Sequence, residues 1–157
     1  MLETPHILVG VTIATFIPNP LVSLPLSLLS HFVLDLIPHW NPLIHTELSN
    51  NGNVSLQSMA ILGTDIVLSL ITMNFFVYRA WPNVGYSLTI FMACLLAILP
   101  DLLQVPFYFF NKESGWAKKT VEFQAKHQSH TSVTLGIFTQ IFISLTSLAL
   151  LLSSVFK

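Results

Sequence analysis

The chain has 157 residues and a net charge of −1, and 8% of its residues are charged whereas 53% are hydrophobic. Soluble domains carry about 25% charged residues, so this composition excludes a water-soluble globular protein and indicates a single transmembrane domain over residues 1–157. The charge balance gives no reason to expect a nucleic-acid partner, and the one cysteine, Cys94, excludes an internal disulfide bond.

Two short apolar segments come first, at residues 7–17 and 21–37, on either side of a Pro-Asn-Pro turn at residues 18–20. Each proline lacks a backbone donor and restricts the residue before it, so this pattern predicts two short helices separated by a tight turn. They are either two thin, tilted spans or a re-entrant hairpin. In both cases the chain returns, so His6 and His39 lie on the same side.

Longer apolar segments follow a polar, turn-rich loop at residues 40–56. Three of them are long enough to be membrane spans: residues 57–78, 84–110 and 131–156. A bilayer core requires roughly 20 apolar residues of helix. The second of these helices is expected to kink near Pro100 and Pro106, and residues 111–128, with four lysines, predict an interfacial helix or loop. The fold class is therefore an all-α integral membrane protein of about five helices.

A short internal similarity links the two predicted helix pairs. Asp35 precedes Pro38 late in the second helix of the first pair, as Asp101 precedes Pro106 late in the second helix of the next pair. This pattern favours the hypothesis that two helical hairpins arose by duplication.

Three aspartates fall within the predicted spans, all in the membrane half nearest the N-terminus. At about 1.5 Å per helical residue, Asp35 lies roughly 6 Å deep, Asp65 roughly 12 Å and Asp101 roughly 15 Å. Each ionisable group in a span costs at least about 2.5–3.5 kcal/mol. All six Lys and Arg residues lie in loops or at the chain end. The compensation is therefore protonation, a histidinium partner or a bound metal ion, and the neighbouring histidines favour the metal.

Histidines accompany these acids at the same membrane face. His31, Asp35 and His39 recur at four-residue intervals, which places them on one helix face if the helix continues. Pro38 is expected to end the helix, and in that case His39 leaves this face. His31 and His39 are too far apart to share one ion at ligand distances of about 2 Å, so Asp35 either binds one ion with one of them or bridges two. Further candidate ligands are His6, Asp101, His127 and His130. The set predicts one or two divalent ions, with zinc as the leading candidate and manganese or iron as alternatives.

Each assignment has an alternative that the sequence leaves open. His31 and Asp35 also fit a buried hydrogen-bonded pair, and Asp65 and Asp101 fit protonated packing residues. Residues 127–132 also fit an ordinary helix start.

The motifs together resemble a known family. An early histidine, the HxxxDxxPH stretch from His31 to His39, a Pro-Asp pair at residues 100–101 and an HxxHTS stretch at residues 127–132 are similar to motifs of the membrane-bound metal-dependent hydrolases, the YdjM-like, LexA-regulated group. The late stretch lacks the Arg-Gly pair of that family. The resemblance implies an inner-membrane, metal-dependent hydrolase with these site positions: His6, Asp35, His39, Asp101 and His130. A weaker similarity, through HxxxD, is to zinc-dependent phospholipase C.

Three functions follow as hypotheses. In a metal-dependent hydrolase acting on an amphiphilic ester or phosphoester at headgroup depth, the ion activates water, and Asp65 or Asp101 serves as the catalytic base. A divalent-cation or proton transporter needs polar groups across the whole span, whereas the distal halves of the three long spans offer only Ser, Thr and Asn74. A noncatalytic membrane scaffold is the third hypothesis.

The distribution of basic residues predicts the orientation. The side of the membrane that carries the N-terminus has four lysines, at residues 111–128. The other side has Arg79 and Lys157. By the positive-inside bias, the N-terminus and the site face the cytoplasm of a bacterial inner membrane. The predicted partners are the bilayer and a lipid-like substrate, with no indication of an oligomeric state.

Overall fold

The computed structural model describes residues 1–106 and 115–155, and this part of the chain is helical without any β-strand. Its helices are α1 (Glu3–Phe16), α2 (Pro20–Leu36), α3 (Ile44–Asn51), α4 (Leu56–Arg79), α5 (Val84–Leu102), α6 (Gly115–His127) and α7 (Val133–Val155). The predicted all-α class is therefore confirmed.

Three helices are long and apolar enough to cross a membrane: α4, α5 and α7. Large apolar side chains cover their outer faces, including Ile71, which is 62% exposed, and Phe138, which is 64% exposed. Such contiguous apolar surface is unfavourable in water and favourable against lipid. The helices thus describe an integral membrane protein.

The described part of the chain contains seven helices, so the prediction of about five was too low. The polar loop at residues 40–56 contains α3, and the lysine-rich segment forms α6. α5 ends at Leu102 instead of continuing to residue 110, because the chain turns there through a hydrogen bond from Gln104 N to Asp101 O of 2.9 Å. Asp101 therefore lies in the last turn of α5, one residue before its end. Residues 107–110 lie outside the described residues.

The first two helices form a short hairpin. α1 has 14 residues and α2 has 17, which corresponds to about 21 and 26 Å of helix, less than the roughly 30 Å of a bilayer core. Asn19 begins α2 by accepting a 3.0 Å hydrogen bond from Leu21 N. Asp35 is the penultimate residue of α2, as Asp101 is of α5. The suggested duplication stays a hypothesis.

α1 is the central helix of the bundle and packs against α2, α4, α5 and α7. Its buried residues Ile7, Val11 and Ala14 form the core with side chains of α5 and α7. A Cβ atom at Gly10 would lie 3.0 Å from Ala93 O, so the backbones of α1 and α5 approach closely there. Because α1 packs along α5 in this way, His6 near the start of α1 lies close to Asp101 near the end of α5.

Candidate metal centre

The site lies where the start of α1 meets the ends of α2 and α5, with α6 packed over it. The alternating direction of successive helices places these three helix ends at the same end of the bundle, as the sequence predicted. Four of the predicted side chains are fully or almost fully buried: His6, His31 and His39 at 0% exposure and Asp35 at 3%. Buried ionisable groups are costly unless they are paired or bind an ion, so this cluster requires compensation.

The carboxylate of Asp35 lies at the centre of three imidazole rings. Its Oδ1 is 3.4 Å from His6 Nε2 and 3.9 Å from His39 Nε2, and its Oδ2 is 3.4 Å from His31 Nε2. The helical spacing places His31 beside Asp35, as predicted. α2 ends at Leu36, so His39 does not share that helix face and reaches Asp35 from the segment that follows the helix.

Two further donors contact the same carboxylate. The terminal ammonium of Met1 lies 2.5 Å from Asp35 Oδ1, and Gln128 Nε2 donates a 3.0 Å hydrogen bond to Oδ2. Asp35 is therefore held by charge and by a side-chain amide that follows α6, which fixes the orientation of both oxygens.

A group of three ligand atoms lies beside Asp35. His6, His31 and Asp101 each offer an atom, and these atoms lie within 4.8 Å of one another. His31 Nε2 is 3.7 Å from Asp101 Oδ1, and the rings of His6 and His31 stack with centroids 4.2 Å apart. Ligand atoms around a tetrahedral zinc ion are separated by about 3.4 Å. A movement of roughly 1 Å would therefore close this group around an ion.

Backbone carbonyls orient two of the rings. His31 Nδ1 is 2.8 Å from Ala97 O, and His39 Nδ1 is 2.9 Å from Ile37 O. Because a carbonyl only accepts, each Nδ1 carries the hydrogen and each Nε2 faces the carboxylates. Metal-binding histidines are commonly oriented in this way. His39 Nε2 then faces Asp35 Oδ1 at 3.9 Å without a hydrogen-bond partner, whereas His31 Nε2 has the side-chain amide of Gln124 3.2 Å away.

His6 is the least satisfied of the buried side chains. Neither of its ring nitrogens has a hydrogen-bond partner, because the 3.4 Å approach of Nε2 to Asp35 lacks hydrogen-bond geometry. His39 Nε2 and Glu3 Oε2 are also buried without partners. Each unsatisfied buried group costs about 1–3 kcal/mol. The unpaired Nε2 ring nitrogens of His6 and His39, which lie next to the Asp35 carboxylate, fit an ion-binding site.

His39 follows the end of α2. Burial, together with the nearby terminal ammonium, lowers the pKa of His39 from 6.5 to about 4. The ring is consequently neutral near pH 7, which is the form that binds a metal.

Asp65 serves the start of α1. Its Oδ2 accepts a 2.6 Å hydrogen bond from Glu3 N, and its Oδ1 accepts 3.2 Å and 2.6 Å hydrogen bonds from Thr4 N and Thr4 Oγ1. An acidic side chain at a helix N-terminus satisfies free N–H groups and complements the helix dipole. Asp65 therefore fixes the helix that carries His6. Its predicted catalytic role stays a prediction.

The late histidines have different positions. His130 lies beside His39, because His39 N donates to Ser129 O and Thr131 N donates to His39 O, both at 3.1 Å. The His39 and His130 rings are 5.9 Å apart. His127 is exposed on α6, with its Nδ1 2.7 Å from Phe123 O. The described contacts thus bring His130 to the rim and leave His127 outside the cluster.

Several polar residues at the site were not predicted from the sequence. Gln124 Nε2 lies 3.2 Å from His31 Nε2, and Gln104 Nε2 donates to Asp101 Oδ1 at 2.9 Å and also to Gln124 Oε1. Gln124 and Gln128 are one helical turn apart, which is the one sequence pattern that indicated a shared face.

Comparisons with protein-family models, with curated proteins and with solved structures found no match. The resemblance to membrane-bound metal-dependent hydrolases rests on the motifs of this chain alone.

Proposed function

We propose that the protein is a membrane-embedded, metal-dependent hydrolase whose ion is held by His6, His31 and Asp101, with Asp35 as the fourth ligand. The observation that carries the proposal is the pair of buried imidazole nitrogens, His6 Nε2 and His39 Nε2, that face Asp35 Oδ1 without a hydrogen-bond partner. Two neutral histidines and two carboxylates suit zinc. In a two-ion form of the site, Asp35, His39 and His130 would hold the second ion.

The bound ion would supply an activated water near neutral pH and stabilise the negative charge that develops on the substrate oxygen. Glu3 is the best-placed proton acceptor, because its Oε2 is buried without a partner beside Asp101 and its side chain lines the adjoining cavity. Asp65 is less suited to this task, since both of its oxygens bind α1. We assign Asp65 to positioning.

Transport of an ion across the membrane is a weaker candidate function. The half of the bundle far from the site contains hydroxyl groups that are hydrogen-bonded to the backbone. Ser23 Oγ donates to Asn19 O and Thr89 Oγ1 donates to Gly85 O, each within its own helix or its cap. Hydroxyls tied to the backbone in this way do not form a continuous polar path, whereas transport requires one. The polar cluster at one face favours a one-sided reaction site.

Elemental analysis of the detergent-purified protein tests the metal site. The wild type should retain about one zinc ion per chain, and His6→Ala and Asp101→Asn should lose most of it, because the remaining ligands no longer offset the desolvation of the ion. His127→Ala is the matched control, since that exposed histidine has no described contact with the cluster, and it should keep its zinc.

Turnover of an amphiphilic ester should follow the metal content across these variants and stop when a chelator is added. The proposal fails if the wild type carries no divalent metal and binds none on titration.

A further inference from the structure

A cavity of about 600 Å³ opens beside the metal centre. Its wall is formed by the start of α1, residues 41–46, α4, the end of α5 and α6. Sites for small molecules have volumes of roughly 300–1,000 Å³, so the cavity is large enough for a ligand. Part of its lining is apolar, with these residues: Leu2, Leu43, Leu62, Ile66 and Val121.

Another part of the lining is polar and acidic. It contains carboxylates and side-chain amides: Glu3, Asp65, Asp101, Gln104, Gln124 and Gln128. Glu122 adds another carboxylate. Among the described residues that line the cavity, none is Lys or Arg, and His130 at the rim is the one side chain able to carry positive charge.

The balance of charge at the reacting end is therefore negative. When ionised, Glu3, Asp35, Asp65 and Asp101 contribute four negative charges, against two positive charges from a divalent ion and one from the terminal ammonium. An anionic headgroup entering this cavity would meet uncompensated negative charge in a region of low dielectric constant.

Resting on the function proposed above, we propose that this cavity binds an uncharged amphiphile and that the substrate is a neutral carboxylic ester, in preference to a phosphoester. The acyl chain lies against Leu62 and Ile66, and the ester group reaches Asp101 and the ion. One water is consumed: its oxygen bonds to the acyl carbon and the acyl C–O bond breaks. Glu3 accepts the proton of that water and returns it to the leaving alcohol, which yields a carboxylic acid and an alcohol.

Native mass spectrometry of the zinc-loaded, detergent-solubilised chain tests this proposal and reports bound metal in the same spectra. The probes are 1-O-dodecylglycerol, an uncharged ether that cannot be hydrolysed, and dodecyl phosphate, which has the same chain with an anionic head. We expect dodecylglycerol to bind at least about tenfold more tightly, because its head adds no charge. Equal or tighter binding of dodecyl phosphate would overturn the proposal.

Variants on α6 locate the binding. Ala125→Trp places a large side chain in the cavity and should abolish dodecylglycerol binding, whereas Lys126→Trp, at an exposed neighbour outside the lining, should not. Glu122→Lys should raise the affinity for dodecyl phosphate several-fold and leave that for dodecylglycerol unchanged. Undiminished binding by Ala125→Trp would also refute the assignment.

The result is distinguishable from failure of the metal proposal. Absence of the zinc mass with retained selectivity for dodecylglycerol refutes the metal site alone, because the described lining offers no Lys or Arg side chain to an anionic head with or without the ion. Retained zinc with preferred binding of dodecyl phosphate refutes the substrate class alone.

Discussion

Replacing Gly136 on α7 by alanine should displace the segment that carries His39. A Cβ atom at this position would lie 2.4 Å from Trp40 N, 2.5 Å from Trp40 Cβ and 2.8 Å from His39 C. Ordinary contacts begin near 3.4 Å, so α7 and the His39–Trp40 backbone must separate by about 1 Å. All three atoms belong to the backbone or to its first side-chain carbon, which cannot rotate away.

The displacement also strains two hydrogen bonds that hold the segment to α7. Thr139 Oγ1 donates to Pro38 O at 2.7 Å, and Gln140 Nε2 donates to Trp40 O at 2.8 Å. Forcing a methyl group into such a contact costs typically about 1–3 kcal/mol. Thermal unfolding in detergent should therefore show a lower Tm for Gly136→Ala.

Gly63→Ala is the matched control, because Gly63 lies within α4 and a Cβ atom added there would have nothing within 4 Å. Alanine favours helix over glycine by about 0.8–1 kcal/mol, so the control should be neutral or slightly stabilised. A Gly136→Ala protein as stable as Gly63→Ala would refute the close approach of α7 to His39.

Three further predictions concern the capping residue, titration and orientation. Asp65→Ala should lower the free energy of unfolding by about 1–2 kcal/mol by removing the cap of α1. Asp65→Asn should lose less and keep most of the turnover, whereas loss of turnover with unchanged stability would show that Asp65 is catalytic. In metal-free protein, the neutral form of His39 should stabilise the fold above pH 6.5, and that contribution should be lost as the pH falls towards 4, because the pKa of His39 in the folded protein lies below 6.5. His39→Asn should therefore flatten the dependence of Tm on pH. An unchanged dependence would contradict the burial of this ring. If the site faces the cytoplasm, a cysteine introduced at Asn83 should react with a membrane-impermeant thiol reagent outside the cell, and one introduced at Asn53 should not. The native Cys94 should not react, because it is buried. The reverse labelling pattern would show the opposite orientation in the membrane.

Composition and helical spacing predicted the features that depend on one segment at a time. The apolar runs of α4, α5 and α7 identified the spans, since lipid selects for length and hydrophobicity. The spacing of His31 and Asp35 predicted their contact, which the structure gives as 3.4 Å. The return of each hairpin placed the remaining candidates on one side.

The sequence could not predict contacts created by packing between distant segments. Asp65 caps α1 from 61 residues away, and no local pattern distinguishes such a cap from a free intramembrane acid. Gln124 reaches His31 across 93 residues because α6 packs over the site. No sequence pattern around Glu3 indicated that it lies at the site, because the residues that surround its side chain belong to α4 and α5.

The central position of α1 has a consequence for biogenesis. This helix leaves the ribosome before the rest of the described chain, yet its length of about 21 Å is too short to cross a bilayer alone. Its cap comes from Asp65 on α4, and its buried face is covered by α5 and α7. The packing around α1, which carries His6, is therefore complete only after α7 has been inserted. An incomplete chain arrested before α7 has all the acids of the candidate site and can pack α1 against α2, α4 and α5, but it lacks the contacts of α1 with α7. If the proposed ion site depends on those contacts, ion binding should begin only in chains whose synthesis has passed that helix.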